Sequence, residues 1–371
     1  MKIENARLPK GWEIKKLGDV LKLEYGKPLD KSKRKSTGLY PVYGANGIKA
    51  RSDESYYDKQ SIIVGRKGSA GEINLTENNF WPLDVTYFVT FDDKKYDLFF
   101  LFYLLSKLAL PRLAKGVKPG INRNDVYSLT ASIPPLPEQK RIVAILDKAF
   151  TAIDKAKANA KKNLANAKEL FESCLNGIFE NPGEDWEEKK LGEICEFRNG
   201  RAHEKIIDDK GQYIVINSKY ISTNGAIYKR SNEQLTPLYK NEIVFVMSDV
   251  PKGKALAKCF IIDKNDMYTL NQRIGALTLK KVNTCFFFYQ FNRNKYLLSF
   301  DNGENQTNLR KNDILKCPLY IPALIEQTRI VAKLDSLSTK TKRLEKIYQQ
   351  KIADVEELKK SILKKAFEGE L

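Results

Sequence analysis

The sequence predicts a mixed α/β (α+β) fold built from two similar halves, each a globular body followed by a long helix. Residues 11–20, GWEIKKLGDV, recur as DWEEKKLGEI at 185–194, an offset of 174 residues. Residues 133–147, IPPLPEQKRIVAILD, recur as IPALIEQTRIVAKLD at 321–335, an offset of 188 residues. Because the second offset is larger, the second body is expected to be longer than the first.

The repeated segments at 11–20 and 185–194 and at 133–147 and 321–335, called frames below, divide the chain. Shorter matches lie inside them: Tyr25-Gly26 with Asn199-Gly200, residues 122–126 with 310–314, and Trp12 with Trp186. The two tryptophans are expected to pack each body onto a helix. The expected segments are a first body over 1–132, a first helical segment over 133–180, a second body over 181–320 and a second helical segment over 321–371.

Proline and glycine mark the limits of the first long helix. Pro134, Pro135 and Pro137 disfavour helix before Glu138, because each proline restricts the residue that precedes it. The carboxylate of Glu138 suits the first turn, where the helix dipole favours negative charge. Asn181-Pro182-Gly183 is typical of a helix end.

The two helices, expected over 138–180 and 326–371, carry apolar residues at heptad spacing, which is typical of coiled coils. The first seam is rich in alanine and the second in bulky side chains, so the helices are expected to pair with each other. Since the second helix starts at the second body, the pair is expected to be antiparallel, with one body at each end of a rod roughly 65 Å long. A pseudo-two-fold axis would then relate the halves. The expected seam residues are Leu146, Ile153, Ala160, Ala167, Leu170, Leu334, Leu337, Leu344, Tyr348, Val355, Leu358 and Ile362.

The bodies carry short strand signals. Residues 61–65 and 242–246 are β-branched runs bounded by turn residues, and both are expected to be strands. The apolar runs at 98–106 and 286–291 correspond to each other, but their pattern fits either a helix or a strand.

Composition narrows the class of protein. The net charge is +18 and the pI about 9.4, which favours an anionic partner, either nucleic acid or an acidic membrane surface. Most of the excess positive charge lies in the two bodies. A proteome that is generally rich in lysine is the alternative explanation for this charge. Five cysteines without C-x-x-C spacing and a single histidine favour neither a disulfide framework nor a metal site. No apolar run is long enough to span a bilayer, and a cytoplasmic, soluble protein is expected.

The repeated frames carry a family resemblance. The motif W-E-x-K-K-L-G-[DE]-[VI], the motif P-x-L-x-E-Q-x-R-I-V-A-x-L-D and the final LKKAFEGEL resemble the specificity subunit of a type I restriction-modification system. The resemblance implies that each body is a target recognition domain reading one half of a bipartite double-stranded DNA sequence. It also implies that the helices space the half-sites and dock two methyltransferase subunits, to which restriction subunits add. S-adenosylmethionine, ATP and Mg²⁺ are then expected on the partners, and no cofactor on this chain.

Candidate DNA-contacting residues follow from residue type and loop context, because Asn and Gln can pair with adenine and Arg with guanine. Residues 65–71 (GRKGSAG) join two cations to three glycines, which fits a turn presenting Arg66 and Lys67 to DNA or a plain hairpin turn. Residues 251–254 (PKGK) form a similar basic turn. The candidates are Asn46, Lys49, Arg51, Arg66, Lys67, Ser69, Lys118, Asn122, Arg123, Asn217, Lys219, Lys229, Arg230, Lys252, Lys254, Asn271, Gln272, Arg273, Arg310 and Lys311. For each, a capping or solvated role is the alternative.

No catalytic constellation is predicted, and neither catalytic nor metal-ligating residues are assigned. With one histidine, acid–base chemistry would fall to carboxylates or lysines, and none forms an isolated pair in the sequence. Two other classes stay open: a self-contained restriction-modification enzyme with its chemistry inside a body, and a structural coiled-coil scaffold whose positive charge is incidental.

Overall fold

The computed structural model describes residues 9–251 and 253–371. The chain forms two compact units. The first unit runs to Lys162 and includes Tyr348–Leu371, and the second comprises Asn163–Ile347. Each unit therefore holds one body, part of the first long helix and part of the second.

The first body begins with a short strand–helix–strand and ends at the first long helix. Its elements in chain order are β1 (Glu13–Lys16), α1 (Leu17–Val20), β2 (Lys22–Tyr25), β3 (Tyr40–Gly44), β4 (Gly47–Ser52), β5 (Ile62–Gly65), β6 (Ile73–Leu75), β7 (Trp81–Pro82), β8 (Thr86–Thr90), α2 (Leu98–Leu108), α3 (Arg123–Tyr127), β9 (Thr130–Ile133) and α4 (Leu136–Phe179).

The second body repeats this order with additions. Its elements are β10 (Glu187–Lys190), α5 (Leu191–Ile194), β11 (Cys195–Asn199), β12 (Tyr213–Ile216), α6 (Ser218–Ser222), β13 (Lys229–Ser231), β14 (Ile243–Val246), β15 (Ser248–Asp249), β16 (Cys259–Ile261), β17 (Tyr268–Leu270), β18 (Ile274–Leu279), α7 (Thr284–Phe291), α8 (Lys295–Leu298), β19 (Thr307–Asn308), α9 (Lys311–Leu315), β20 (Pro318–Ile321) and α10 (Leu324–Glu368).

Both bodies have the same sheet topology. The first has a four-stranded sheet of order β2-β8-β5-β6 and a three-stranded sheet of order β4-β3-β7. The second has the orders β11-β18-β14-β16 and β13-β12-β17. In each body the opening strand pairs antiparallel with the strand that precedes the long helix, β1 with β9 and β10 with β20. The predicted mixed α/β fold with an internal repeat is confirmed.

The second body is longer because two of its connections between strands are longer. In the first body only two residues, Ala45 and Asn46, join β3 to β4. In the second, the corresponding connection from β12 to β13 spans residues 217–228 and contains α6, and the connection from β14 to β16 spans 247–258 where that from β5 to β6 spans 66–72.

The central strands are buried on both faces. In β5, Ile62 and Val64 belong to the main core of the first unit, whereas Ile63 packs on the other face with Phe80 and Phe88. This alternation follows from the two-residue period of a strand. It explains why a continuous apolar run, rather than an alternating one, forms the strand.

The apolar runs that fit either helix or strand are helices, α2 and α7. Asp97 caps α2 by accepting hydrogen bonds from the backbone N–H groups of Phe99 and Phe100. Asn283 caps α7 in the same way. Such side-chain caps satisfy backbone donors that a helix start leaves unpaired.

The long helices begin two residues earlier than the sequence predicts. α4 starts at Leu136 and α10 at Leu324, instead of Glu138 and Glu326. Pro137 lies in the first turn of α4, where a proline is tolerated because its missing N–H would have no partner there.

Within the first unit, the two helices run antiparallel. Lys157 Nζ lies 2.6 Å from Glu356 Oε1, and Lys359 Nζ lies 3.0 Å from Asp154 Oδ1. Residue numbers increase along α4 in the direction in which they decrease along α10, so the two helices are antiparallel here, as predicted. Within the second unit, residues late in α4 and early in α10, including Phe179 and Leu334, pack on one core.

Trp12 and Trp186 pack as the sequence predicts. Trp12 is buried in the same core as Leu146 of α4 and Phe367 of α10. Trp186 meets Phe179 of α4 edge-on, with ring centroids 6.3 Å apart. Each tryptophan therefore joins its body to a long helix.

None of the helices over the described residues is long and apolar enough to cross a membrane. Over the same residues, His, Cys, Asp and Glu side chains form no group of three or more that could hold a metal ion.

Candidate nucleic-acid interface

In the first body, the β3–β4 turn lies against the end of β5. A Cβ atom at Gly65 would lie 2.9 Å from the carbonyl oxygen of Ala45, so a side chain at this position would collide with the turn. Exposed Asn46 is therefore held beside residues 66–71, the loop that leaves β5.

A second loop, residues 114–121, is joined to the 66–71 loop by backbone hydrogen bonds. Gly68 N–H donates to Pro119 O at 3.0 Å, and Ile121 N–H donates to Arg66 O at 3.0 Å. Lys67 and Lys118 in these loops are both exposed. Three segments that are far apart in the sequence thus present amide and cationic side chains at one edge of the sheet.

Arg66 and Arg123 both contact the ring of Tyr25 at this edge. The Cζ atoms of the two guanidinium groups lie 5.4 and 5.1 Å from the ring centroid, which is cation–π distance. Arg66 also donates from Nε and Nη2 to Asp84 O, at 3.1 and 2.6 Å. Ser69 is half-buried in the same loop.

The other candidates of the first body have different surroundings. Arg51 donates to Gly38 O and Leu39 O at the opposite end of the β3–β4 hairpin, so it supports the hairpin. Lys49 is exposed on β4. Asn122 caps α3 by accepting from Asn124 N–H at 2.9 Å, and its NH₂ group makes no hydrogen bond within 9–251 and 253–371.

In the second body, a polar cavity of about 270 Å³ occupies the corresponding place. It brings together four of the predicted residues from two segments: Asn217, Asn271, Gln272 and Arg273. Further polar residues line it that the sequence pattern did not single out: Glu204, Ser218, Ser248, Asp249 and Gln306.

Hydrogen bonds hold the cavity walls in place. Asn271 Oδ1 accepts from His203 N–H at 3.2 Å, and Gln272 Nε2 donates to Glu204 Oε1 at 2.8 Å. The pKa of the Glu204 carboxyl is lowered, first by its own backbone N–H and then by bonds from Gln272 and Asn271. The cavity therefore contains an anionic acceptor, which suits the amino groups of base edges and disfavours a phosphate.

Arg273 stands at the rim of this cavity in an uncommon backbone conformation. Its φ is +65°, in the left-handed region, and its carbonyl accepts a hydrogen bond from Met247 N–H at 3.0 Å. Its side chain is exposed. Left-handed non-glycine residues carry strain and often occur at functional sites.

The remaining candidates of the second body are scattered. Asn217 accepts from Tyr220 N–H as the cap of α6, and Arg230 donates to Gly211 O at 3.1 Å. Lys252 lies outside the described residues. The other four side chains are exposed: Lys219, Lys229, Lys254 and Arg310. Lys311 is also exposed, with Nζ 5.9 Å from the ring centroid of Phe197.

The two sites occupy equivalent places in the repeat. Ile121 N–H donates to Arg66 O, and Leu309 N–H donates to Met247 O at 2.8 Å in the second body. Arg66 and Lys67 of the first body thus correspond to Met247 and Ser248 of the second. The backbone frame is shared, whereas the side chains that it presents differ in charge.

Two residue sets were missed by sequence reasoning. Tyr25 could have been found from its match with Asn199. The two bodies differ at this position, although the glycine that follows is the same in both. Ser248 and Gln306 had no such signal, because the 2.7 Å hydrogen bond between them joins residues 58 apart in the sequence.

The predicted seam residues differ in burial. Those that are buried are Leu146, Ile153, Ala160, Ala167 and Leu334. Those that are half-buried are Leu337, Tyr348, Val355 and Ile362. Leu170, Leu344 and Leu358 remain 54%, 38% and 49% exposed. Two paired helices cover only one face of each other, so apolar side chains at the margins of the contact stay in solvent.

Comparison with known proteins agrees with this architecture. The model of the type I restriction modification DNA specificity domain matches residues 9–164 and 183–354. The specificity subunit of type I restriction enzyme MjaVIII from Methanocaldococcus jannaschii is 25% identical, with 100% of this chain and 95% of that protein covered. The EcoDI specificity subunit from Escherichia coli is 24% identical, with 99% of this chain and 90% of that protein covered.

Solved structures share the fold. A chain from a study of complex assembly and conformational transition in a type I R-M system has a TM-score of 0.79 at 18% identity, with 99% of this chain and 100% of that chain covered. The HsdS subunit from Thermoanaerobacter tengcongensis has a TM-score of 0.64 at 18% identity, with both chains fully covered. With the family model matched twice in succession, once over each body, the chain belongs to the type I restriction-modification DNA specificity family and carries two target recognition domains.

Proposed function

We propose that the chain reads a bipartite double-stranded DNA target, one half-site per body, and docks two methyltransferase subunits on its helical segments. As a specificity subunit the chain is non-catalytic. It would direct adenine methylation, or restriction when restriction subunits join, in the cytoplasm. The segment boundaries at 132, 180 and 320 are the proposed limits of the two readers and the two helical segments.

One observation carries the proposal: the same backbone frame presents two unlike sets of side chains. At one place the first body has Arg66 and Lys67, and the second has Met247 and Ser248. A shared frame would place each body on DNA in the same manner, whereas unlike side chains would select different bases. The positive charge of the chain supplies attraction to phosphates that does not depend on sequence.

A body exchange tests the proposal. Residues 11–132 are replaced by the corresponding body of another family member, and the chimera is produced with its methyltransferase partner. Methylated adenines are then mapped across the genome. We expect one half of the target to change while the other half and the gap stay as they were.

The matched control replaces residues 185–320 in the same way and should change the other half only. A single exchange that altered both halves would contradict the assignment of one half-site to each body. Methylation or cleavage of DNA by the purified chain alone would instead support a self-contained enzyme.

A further inference from the structure

The edge of the first body contains an aromatic ring that two arginines contact. Tyr25, the last residue of β2, is 46% exposed, yet both Arg66 and Arg123 place a guanidinium group within 5.4 Å of its ring centroid. The ring of Tyr87 meets Tyr25 edge-on, with centroids 5.1 Å apart. Three neighbouring side chains thus fix the position of the tyrosine ring.

The two arginines differ in what else they bind. Arg66 uses Nε and Nη2 to hold the carbonyl oxygen of Asp84. Arg123 makes no side-chain hydrogen bond or ion pair with any residue over 9–251 and 253–371. Arg66 is therefore braced, whereas the donor edge of Arg123 is free to bind a partner.

A guanidinium packed on an aromatic ring loses freedom of orientation but keeps its hydrogen-bond donors. The planar fork of arginine matches the O6 and N7 acceptors of guanine in the major groove. Phosphate oxygens offer a similar pair of acceptors. A preset orientation is of more use against a base edge, whose acceptors have one fixed direction, than against a phosphate.

The second body lacks this arrangement. Asn199, Met247 and Lys311 stand at the places of Tyr25, Arg66 and Arg123, and Gly275 pairs with Asn199 where Tyr87 pairs with Tyr25. A feature required by the fold would recur in both bodies. Its restriction to one body points to selection of bases.

We infer that Arg123 reads a guanine in the half-site of the first body, and that Tyr25 is a positioning residue which orients Arg123 for that contact. The inference rests on the proposed function and adds to it the base and the residues concerned. Arg66, which is itself held by Asp84 O, also contacts the tyrosine ring and helps to fix its position.

The test uses the complex of the full chain with its methyltransferase partner and duplexes that carry the mapped target. Each guanine of the first half-site is replaced singly by 7-deazaguanine, which lacks the N7 acceptor, and binding is measured for wild type, Arg123→Ala, Tyr25→Leu and Tyr25→Phe. Wild type should lose affinity at one guanine by roughly five- to 150-fold. Arg123→Ala should bind the duplex with guanine and the duplex with 7-deazaguanine at that position equally. Tyr25→Leu should lose most of the preference for guanine, whereas Tyr25→Phe should keep it because the aromatic ring remains.

Lys59→Ala is the matched control, since Lys59 precedes β5 at the end opposite Arg66 and its removal takes away the same charge. It should keep the full preference. Retained preference for the second half-site in every variant shows that the complex is folded.

Two outcomes would overturn the inference while leaving the proposed function intact. One is that Arg123→Ala weakens binding to all duplexes alike and keeps the guanine preference, as a phosphate contact would. The other is that no guanine of the first half-site responds to 7-deazaguanine in wild type. A wild-type complex with no preference for either half-site would overturn the proposed function as well.

Discussion

The side-chain amide of Gln139 ties the start of α4 to the backbone of Asp97, the residue that caps α2. Gln139 Oε1 accepts from Asp97 N–H at 2.9 Å, while its Nε2 donates to Pro134 O at 2.8 Å. Gln327 makes the same pair of bonds in the second unit, at 2.9 Å to Asn283 N–H and 2.8 Å to Pro322 O. Both glutamines are buried, which explains why a glutamine recurs at this place in the frame.

Replacement of this glutamine should destabilise one unit at a time. Gln139→Leu leaves buried backbone groups without partners, at a cost of about 1–3 kcal/mol. Hydrogen exchange should become faster around Asp97 in Gln139→Leu and around Asn283 in Gln327→Leu. Gln349→Leu, on an exposed position of α10, is the control. Equal exchange in Gln139→Leu and in the control would show that the bridge adds nothing.

Sequence reasoning succeeded where long patterns repeat and failed where short apolar runs stand alone. The repeated frames and the heptads predicted the two-part architecture. The runs at α2 and α7 could be assigned only from the caps Asp97 and Asn283, because a short buried helix and a short buried strand look alike in apolar content.

The candidate site was predicted in part for a similar reason. Asn271, Gln272 and Arg273 do line one cavity. Arg51 and Arg230, however, are held by carbonyl groups 13 and 19 residues away in the sequence, at Gly38 and Gly211. Whether an arginine is free for DNA depends on partners that tertiary structure brings to it, and residue type alone does not reveal them.

Two tyrosines should make stability fall at alkaline pH. Tyr103 donates its hydroxyl hydrogen to Asp147, and Tyr289 donates to Asp335 at 2.5 Å. Burial, and then the hydrogen bond to the carboxylate, raises the pKa of both phenols above 10.0. Their contribution is complete below pH 10, the pKa in the unfolded chain, and is lost as pH rises toward the folded-state pKa.

The double variant Tyr103→Phe/Tyr289→Phe checks this dependence. Its free energy of unfolding should be lower than that of wild type near pH 8, and the difference should shrink between pH 10 and 12. A difference between the two proteins that stays constant over that interval would contradict the assignment, since the other tyrosines are common to both.

The cysteines should differ in reactivity. Burial raises the pKa of the Cys195 and Cys317 thiols to about 12 and that of Cys259 well above its ordinary value. Cys285 is exposed, although burial and then the charge of Asp335 raise the pKa of its thiol, and Cys174 is half-buried. Because the thiolate is the reactive form, an alkylating reagent at pH 8 should label Cys285 and Cys174 in the folded chain and the other three only after denaturation. Mass spectrometry identifies the labelled cysteines. Labelling of Cys259 before denaturation would show that the core of the second unit opens.

The antiparallel order of the helices can be checked without any substitution. A carbodiimide joins amines to carboxylates in direct contact. It should link Lys157 to Glu356 and Lys359 to Asp154, and peptide mass spectrometry would identify both links. Links from Lys359 to Glu169 or Glu172, farther along α4, would indicate a different pairing. Because exposed ion pairs contribute only about 0–1 kcal/mol, cross-linking is a sharper test here than stability.

Genome-wide mapping of adenine methylation, in cells that contain the chain and its methyltransferase partner, tests most directly whether two unlike bodies read DNA separately. We expect a target of two different short blocks separated by a gap of constant length and unrestricted sequence. One continuous block, or two identical blocks, would contradict it.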